Sequence, residues 1–154
     1  MHKKILAALL LTLALGGFLS ASEGMARFPF FGSKYQGLQA ENGLVKLPLP
    51  EINDGKVHYY SLAAQGRTIN FFVIRSNDGV IRAAFDACDV CFSERKGYSQ
   101  NGDYMICNNC GQAFHSSRIN VVKGGCNPAP LRRTTQGQHL IIAVADILAG
   151  SRYF

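Results

Sequence analysis

The chain has 154 residues, 47% of them apolar and 17% charged, with 16 Lys+Arg against 10 Asp+Glu. This length predicts one domain; the apolar content excludes a disordered chain and the low charge excludes a coiled coil. The net charge of +6 falls to +4 (14 basic against 10 acidic residues) when Lys3 and Lys4 are set aside with residues 1–22, and the remaining Lys and Arg are scattered, so no nucleic-acid footprint is present.

Lys3 and Lys4 precede an apolar run over residues 5–19, followed by Ser20, Ala21 and Ser22. A charged start, a short apolar middle and a small-residue exit describe a secretory signal, or an uncleaved anchor through residues 5–19. The run is shorter than the roughly 20 apolar residues of a spanning helix. The protein is therefore expected to be exported, to the periplasm or its membrane face. Residues 23–53 are rich in Gly, Pro and aromatics, including Phe28-Pro29-Phe30-Phe31 and Leu47-Pro48-Leu49-Pro50, and are expected to form an extended lead-in with one short strand at 44–47.

From residue 54 the pattern becomes that of a β domain running to 154. Residues 56–62 and 67–75 read as strands joined across Gln65-Gly66, and Asn77-Asp78-Gly79 turns into a third strand at 80–85. A further hairpin turns at Asn101-Gly102-Asp103 into a returning arm at 104–106, residues 139–144 form a last apolar strand, and 146–150 a single helical turn. The fold class expected is mainly β.

Cys88-Asp89-Val90-Cys91 and Cys107-Asn108-Asn109-Cys110 are two C-x2-C knuckles with 15 residues between them. Each spacing can aim two sulfurs at one point, and two such loops supply a tetrahedron of thiolates, which suits zinc or iron–sulfur chemistry. Each knuckle follows an expected strand. Gly111 after Cys110 permits positive φ, whereas Phe92 holds the matching place after Cys91, so the loops are not equivalent. A pair of disulfides is the competing reading in an oxidising compartment. No βαβ pattern surrounds either knuckle, which argues against a thioredoxin-like protein, and neither is followed by His, which excludes c-type haem attachment. No Ser/His/Asp series, phosphate loop or carboxylate pair stands out, so no small-molecule substrate is evident.

The run from Phe71-Phe72-Val73-Ile74-Arg75 through Ile81-Arg82-Ala83-Ala84-Phe85-Asp86-Ala87-Cys88 resembles the FtrD-like family, as do Lys96-Gly97-Tyr98, Cys107-Asn108-Asn109-Cys110-Gly111 and Gly124-Gly125-Cys126-Asn127-Pro128-Ala129-Pro130-Leu131. The likeness covers about residues 40–154. It implies a bacterial membrane-associated protein that holds iron–sulfur, faces the periplasm and supplies electrons to iron uptake, with membrane redox or iron-transport proteins as partners. A more distant likeness is to Rieske domains, which hold [2Fe–2S] on a Cys-x-His and a Cys-x2-His loop under a Pro-containing cover. Here Cys91 and Cys110 stand where His would be, the first loop is one residue longer, and Pro128-Ala129-Pro130 comes after them in the expected order. This implies a small Rieske-like, rubredoxin-knuckle β-sandwich with an all-Cys site.

The ligands expected are thus Cys88, Cys91, Cys107 and Cys110, acting as holders of metal and not as catalysts. Four thiolates around an oxidised [2Fe–2S] core leave a net charge of about −2, favouring a low-potential carrier: the scale runs from about −400 mV for all-Cys clusters to about −150 to +300 mV for Rieske centres. A zinc or copper ion, structural or in transit, is the alternative cofactor, and a thiol–disulfide protein the third reading. Cys126, the fifth cysteine, is a replacement ligand, a neighbour of the site or a surface thiol; His115, five residues past Cys110, is a weaker candidate. Asp86 and Asp89 flank Cys88 and would disfavour its thiolate. Arg82, Arg95, Lys96, Arg132 and Arg133 could offset the site's charge or dock an acidic partner.

Overall fold

The computed structural model describes residues 33–154; the expected export signal and the first part of the lead-in lie outside these residues. Within them the chain is mainly β, as its patterning predicts, with ten strands in three small sheets. The central sheet has the order β1-β3-β4-β5, from Gln36–Leu38, Val57–Ala64, Arg67–Arg75 and Ile81–Phe85. Strands β3, β4 and β5 form the antiparallel meander expected from the two turns, and β1 adds parallel to β3 at the edge.

Strand β4 organises the molecule. Its side chains alternate between two faces, and both faces are buried. Ile69, Phe71 and Val73 point into one apolar core, Phe72 and Ile74 into another. The first core is closed by a sheet of order β2-β10-β9, from Leu44–Pro48, His139–Ala143 and Thr134–Gln136, with Leu47, Leu140, Ile142 and Ile147 packing onto β4. The second is closed by β6-β7-β8, from Tyr98–Asn101, Tyr104–Cys107 and Ala113–His115, together with the cysteine loops.

Two regions depart from the sequence expectation. Residues 36–52, expected to be extended with one strand, hold β1, β2 and a four-residue helix α1 (Leu49–Ile52). The helix starts behind Pro48, and the second proline of the Leu-Pro-Leu-Pro run sits in its first turn, where a missing N–H costs nothing. Helix α2 (Val144–Leu148) starts earlier than expected because β10 ends at Ala143. Strands β1, β8 and β9 have three residues each, too short to carry a period of two in sequence; they exist through their partners.

Candidate metal centre

Three backbone devices bring the cysteines together. Strand β5 delivers Cys88 just past its end, and Cys107 is the last residue of β7. The segment 129–131 then runs antiparallel beside β5: Phe85 N–H donates to Ala129 O (2.8 Å), Ala129 N–H to Ala87 O (2.9 Å) and Leu131 N–H to Ala83 O (3.2 Å). This ladder reaches Ala87, next to the first knuckle, so the loop carrying Cys126 is held over it. Asn120 reinforces this strap, its Nδ2 donating to Ala83 O (2.6 Å) and Leu131 O (3.0 Å) while its Oδ1 accepts from Arg133 (2.7 Å).

The result is one sulfur cluster containing all five cysteines. Cys88, Cys91 and Cys126 have their Sγ atoms within 4.8 Å of one another, as do Cys91, Cys107 and Cys110, so Cys91 belongs to both triads. Cys91 Sγ and Cys126 Sγ are 3.7 Å apart. A tetrahedral centre with metal–sulfur bonds of about 2.3 Å has sulfur–sulfur edges of about 3.8 Å, so this spacing suits two thiolates on one metal. The chemistry of the donor set agrees. All donors are sulfur, and backbone N–H groups point at them: Cys91 N–H donates to Cys88 Sγ (3.2 Å). The residues present therefore fit a thiolate-held zinc or iron–sulfur group.

The two knuckles meet solvent differently. Cys88 and Cys107 are buried, Cys91 lies at the edge of the core, Cys126 is half-buried and Cys110 is exposed. Burial pushes the Cys88 thiol up, but the polar neighbours around it, the Tyr98 hydroxyl first and then the N–H groups of Cys91 and Val90, outweigh it and hold it below the usual thiol range. Burial wins at Cys107, pushed up to about 11. At Cys110 the Gln112 N–H, followed by the neighbouring thiols, brings the value down to about 7. Burial, then Cys110 and Cys91, push Cys126 up to about 12. A metal arriving at this cluster would displace the protons of the thiols it binds, because coordination takes the thiolate form.

Gly111 has the positive φ expected (76°), while the first knuckle runs into a 3-10 turn, Phe92–Glu94, closed by Arg95 at φ 52°. The second knuckle is pinned from outside: Asn108 N–H donates to Gly97 O (2.9 Å), and Lys96 Nζ to Asn109 Oδ1 (3.0 Å). A cavity of 380 Å³ lies against Cys88, Cys91 and Cys107, with Tyr98, Phe92 and Tyr153 among its walls.

The acidic flanks do not act on the thiols as unpaired charges. Asp86, its side chain fully buried, accepts from Lys34 Nζ (2.6 Å), Tyr35 OH (2.6 Å) and the Tyr98 N–H (2.7 Å). Asp89 accepts from Arg152 (3.0 Å) and Tyr153 OH (2.7 Å). A Cβ on Gly97, at φ 62°, would lie 2.3 Å from the Asp86 carboxylate, which explains glycine in Lys96-Gly97-Tyr98.

His115 is not among the clustered donors. Its ring accepts from the Ser117 N–H (3.3 Å), capping the 3-10 turn Ser116–Arg118, and stacks edge-on against Tyr104. Of the five basic residues considered for the site, Arg82 is buried and bonded to Ser76 and Asp78, and Arg133 is tied to Asn120 and Ile81 O, so both hold loops. The residue that sequence reasoning passed over is Tyr98. Its ring packs among Phe72 and Phe114, and its hydroxyl donates to Cys126 O (2.6 Å). The Lys96-Gly97-Tyr98 motif was its only sequence signal.

Residues 52–154 match the family described as "Membrane iron-sulfur containing protein FtrD-like". No curated protein matches the chain. Among solved structures, it is similar to a chain of the complex of reduced oxygenase and oxidised ferredoxin in carbazole 1,9a-dioxygenase, at 17% identity and a TM-score of 0.45, over 68% of this chain and 95% of that one. It is also similar to the quaternary ammonium Rieske monooxygenase CntA in complex with an inhibitor, at 16% identity and a TM-score of 0.42, over 64% of this chain and 30% of that one. Among the described residues, no helix is long and apolar enough to cross a membrane.

Proposed function

Because the chain belongs to the FtrD-like family of membrane iron–sulfur containing proteins, we propose that its clustered thiols hold a [2Fe–2S] group and that it carries electrons at the periplasmic face of the membrane, in support of iron transport. The observation that carries this reading is the convergence of five Sγ atoms into two triads that share Cys91. Bound there, the group would supply one-electron redox chemistry, at the low-potential end of the scale because thiolate charge favours the oxidised form.

The chain's own residues do the rest. Cys88 and Cys107 anchor the group from the buried side, and Phe72, Tyr98 and Met105 keep water from those sulfurs. Cys110 stands at the exposed edge, where a membrane redox or iron-transport partner would approach, with Val90 and Phe92 adding exposed apolar surface on the first knuckle. In this reading the cysteines hold the group and the protein acts as an electron carrier.

The test is anaerobic purification of the full chain, with iron and acid-labile sulfide measured per chain and the dithionite-reduced sample examined by electron paramagnetic resonance. The expected result is about two irons and two sulfides with a reduced-state signal, as a [2Fe–2S] group requires. Zinc without sulfide would replace the electron-carrier reading with a structural or delivery site, and disulfides without metal would replace it with thiol–disulfide chemistry.

A further inference from the structure

Four thiolates satisfy either a tetrahedral ion or a [2Fe–2S] group, yet five converge here, and the surplus is not evenly spread. Cys126 is absent from the triad of Cys91, Cys107 and Cys110 but stands 3.7 Å from Cys91, the member common to both. That separation is within the reach of a side-chain rotation plus a small loop shift. The loop enters through Gly124 and Gly125, at φ 83° and 62° with nothing within 4 Å of where a Cβ would be, and its turn is closed by Asn127, whose N–H and Nδ2 donate to Gly124 O (3.3 and 3.1 Å). On the other side of the thiol the chain is fixed, since Ala129 is bonded to Ala87 and the Cys126 carbonyl is held by Tyr98 OH. The Cys126 side chain can therefore turn toward the position of Cys91 about a backbone that is held on both sides.

We propose that Cys126 is an exchangeable ligand of the thiolate centre, able to take the coordination position of Cys91. The inference rests on the reading that these thiols hold a metal group, but holds for either metal. In the exchange one metal–sulfur bond, to Cys91, is replaced by another, to Cys126, and the proton leaving the Cys126 thiol is taken by the freed Cys91 sulfur. The centre keeps four thiolates, its net charge and its oxidation state, so no oxidant or reductant is consumed. What changes is the sulfur's surroundings: Cys91 lies at the edge of the apolar core that holds Phe72 and Ile74, whereas Cys126 sits in the more exposed cover loop. Hydrogen bonding and solvent access around the sulfurs tune both metal affinity and potential, so the two ligand forms differ in both.

The experiment compares wild type, Cys91→Ser, Cys126→Ser and the double variant, all full-length and purified anaerobically, by metal and sulfide content per chain. Each single variant is expected to keep the wild-type metal content, with a shifted electronic spectrum in Cys91→Ser, and the double variant to lose it. A Cys91→Ser chain as empty as the double variant would overturn the proposal, as would a double variant that stays loaded. A wild-type chain that binds zinc without sulfide would refute the iron–sulfur reading and leave this comparison intact; a wild-type chain without metal would overturn both. Should Cys91→Ser not fold, alkylation of the loaded wild-type protein decides: exchange predicts partial labelling of both Cys91 and Cys126 and never of both in one chain, whereas full labelling of Cys126 with Cys91 untouched would overturn it.

Discussion

On one face of the central sheet, seventeen buried apolar residues from Val45 to Tyr153 interlock without a thiol among them; on the other, nine are buried, and three of these are Cys88, Cys91 and Cys107. The same strand feeds both, because β4 sends Phe71 one way and Phe72 the other. The first face resembles an ordinary sandwich core, held by apolar area. The second has fewer apolar side chains, and its closing sheet is a set of four-, four- and three-residue strands, entered through the first knuckle and with the second knuckle between β7 and β8. A small layer of this kind gains its stability where metal binding is also folding free energy. The difference teaches that one strand can feed an apolar core on one side of a sheet and, under the proposed function, a layer closed by coordination on the other.

The largest expected effect is on the coordinated side. Cys107→Ser removes a buried thiol outside the Cys126 triad, so no neighbour replaces it. Metal should be lost and thermal unfolding should fall to a lower temperature, because metal-binding free energy is also folding free energy in small sites; full metal content and unchanged thermal unfolding in this variant would exclude Cys107 from the site. On the apolar side, Phe71→Ala should cost about 3–5 kcal/mol by denaturant titration of the loaded protein. Its metal content, at temperatures where it stays folded, should remain that of wild type, because Phe71 touches the other core.

Asp86, two residues before Cys88, braces the thiol side by tying Lys34 and Tyr35 to the start of β6. Asp86→Asn leaves Lys34 without its carboxylate. The pair is partly open, Lys34 being 32% exposed, so the loss should be about 2 kcal/mol, below that of a fully enclosed pair. No change in stability would mean that this strap carries no load. The smallest effect belongs to His115→Ala, which removes a cap of the turn Ser116–Arg118 worth about 1 kcal/mol and should leave metal content untouched. Loss of metal in His115→Ala would contradict the placement of this residue away from the thiols.

The central meander was legible because its turns are marked by Gln65-Gly66 and Asp78-Gly79 and its strands are long enough to show their pattern. The doubled knuckle was legible because its spacing is itself chemistry. Hidden were the features that depend on distance in space. Strand β1 forms only because β3 offers an edge, and β2 and β10, although both readable as strands, pair across most of the chain. Asp86 and Asp89 look in sequence like unpaired charges beside a thiol, since Lys34 and Arg152 lie 52 and 63 residues away from their partners. The approach of Cys126 to Cys91 depends on the pairing of residues 129–131 with β5, and the isolated bridge of Ala84 with Pro130 has no local signal at all.

The most direct test is amide hydrogen exchange of the full chain with its metal bound and after anaerobic removal by a chelator. Metal removal is expected to raise exchange in β6, β7 and β8 and in the knuckles, while β2, β10 and the β4 amides stay protected, since apolar packing alone closes that side. Equal loss of protection on both sides, or none on the thiol side, would contradict a domain closed by coordination on one face and by burial on the other.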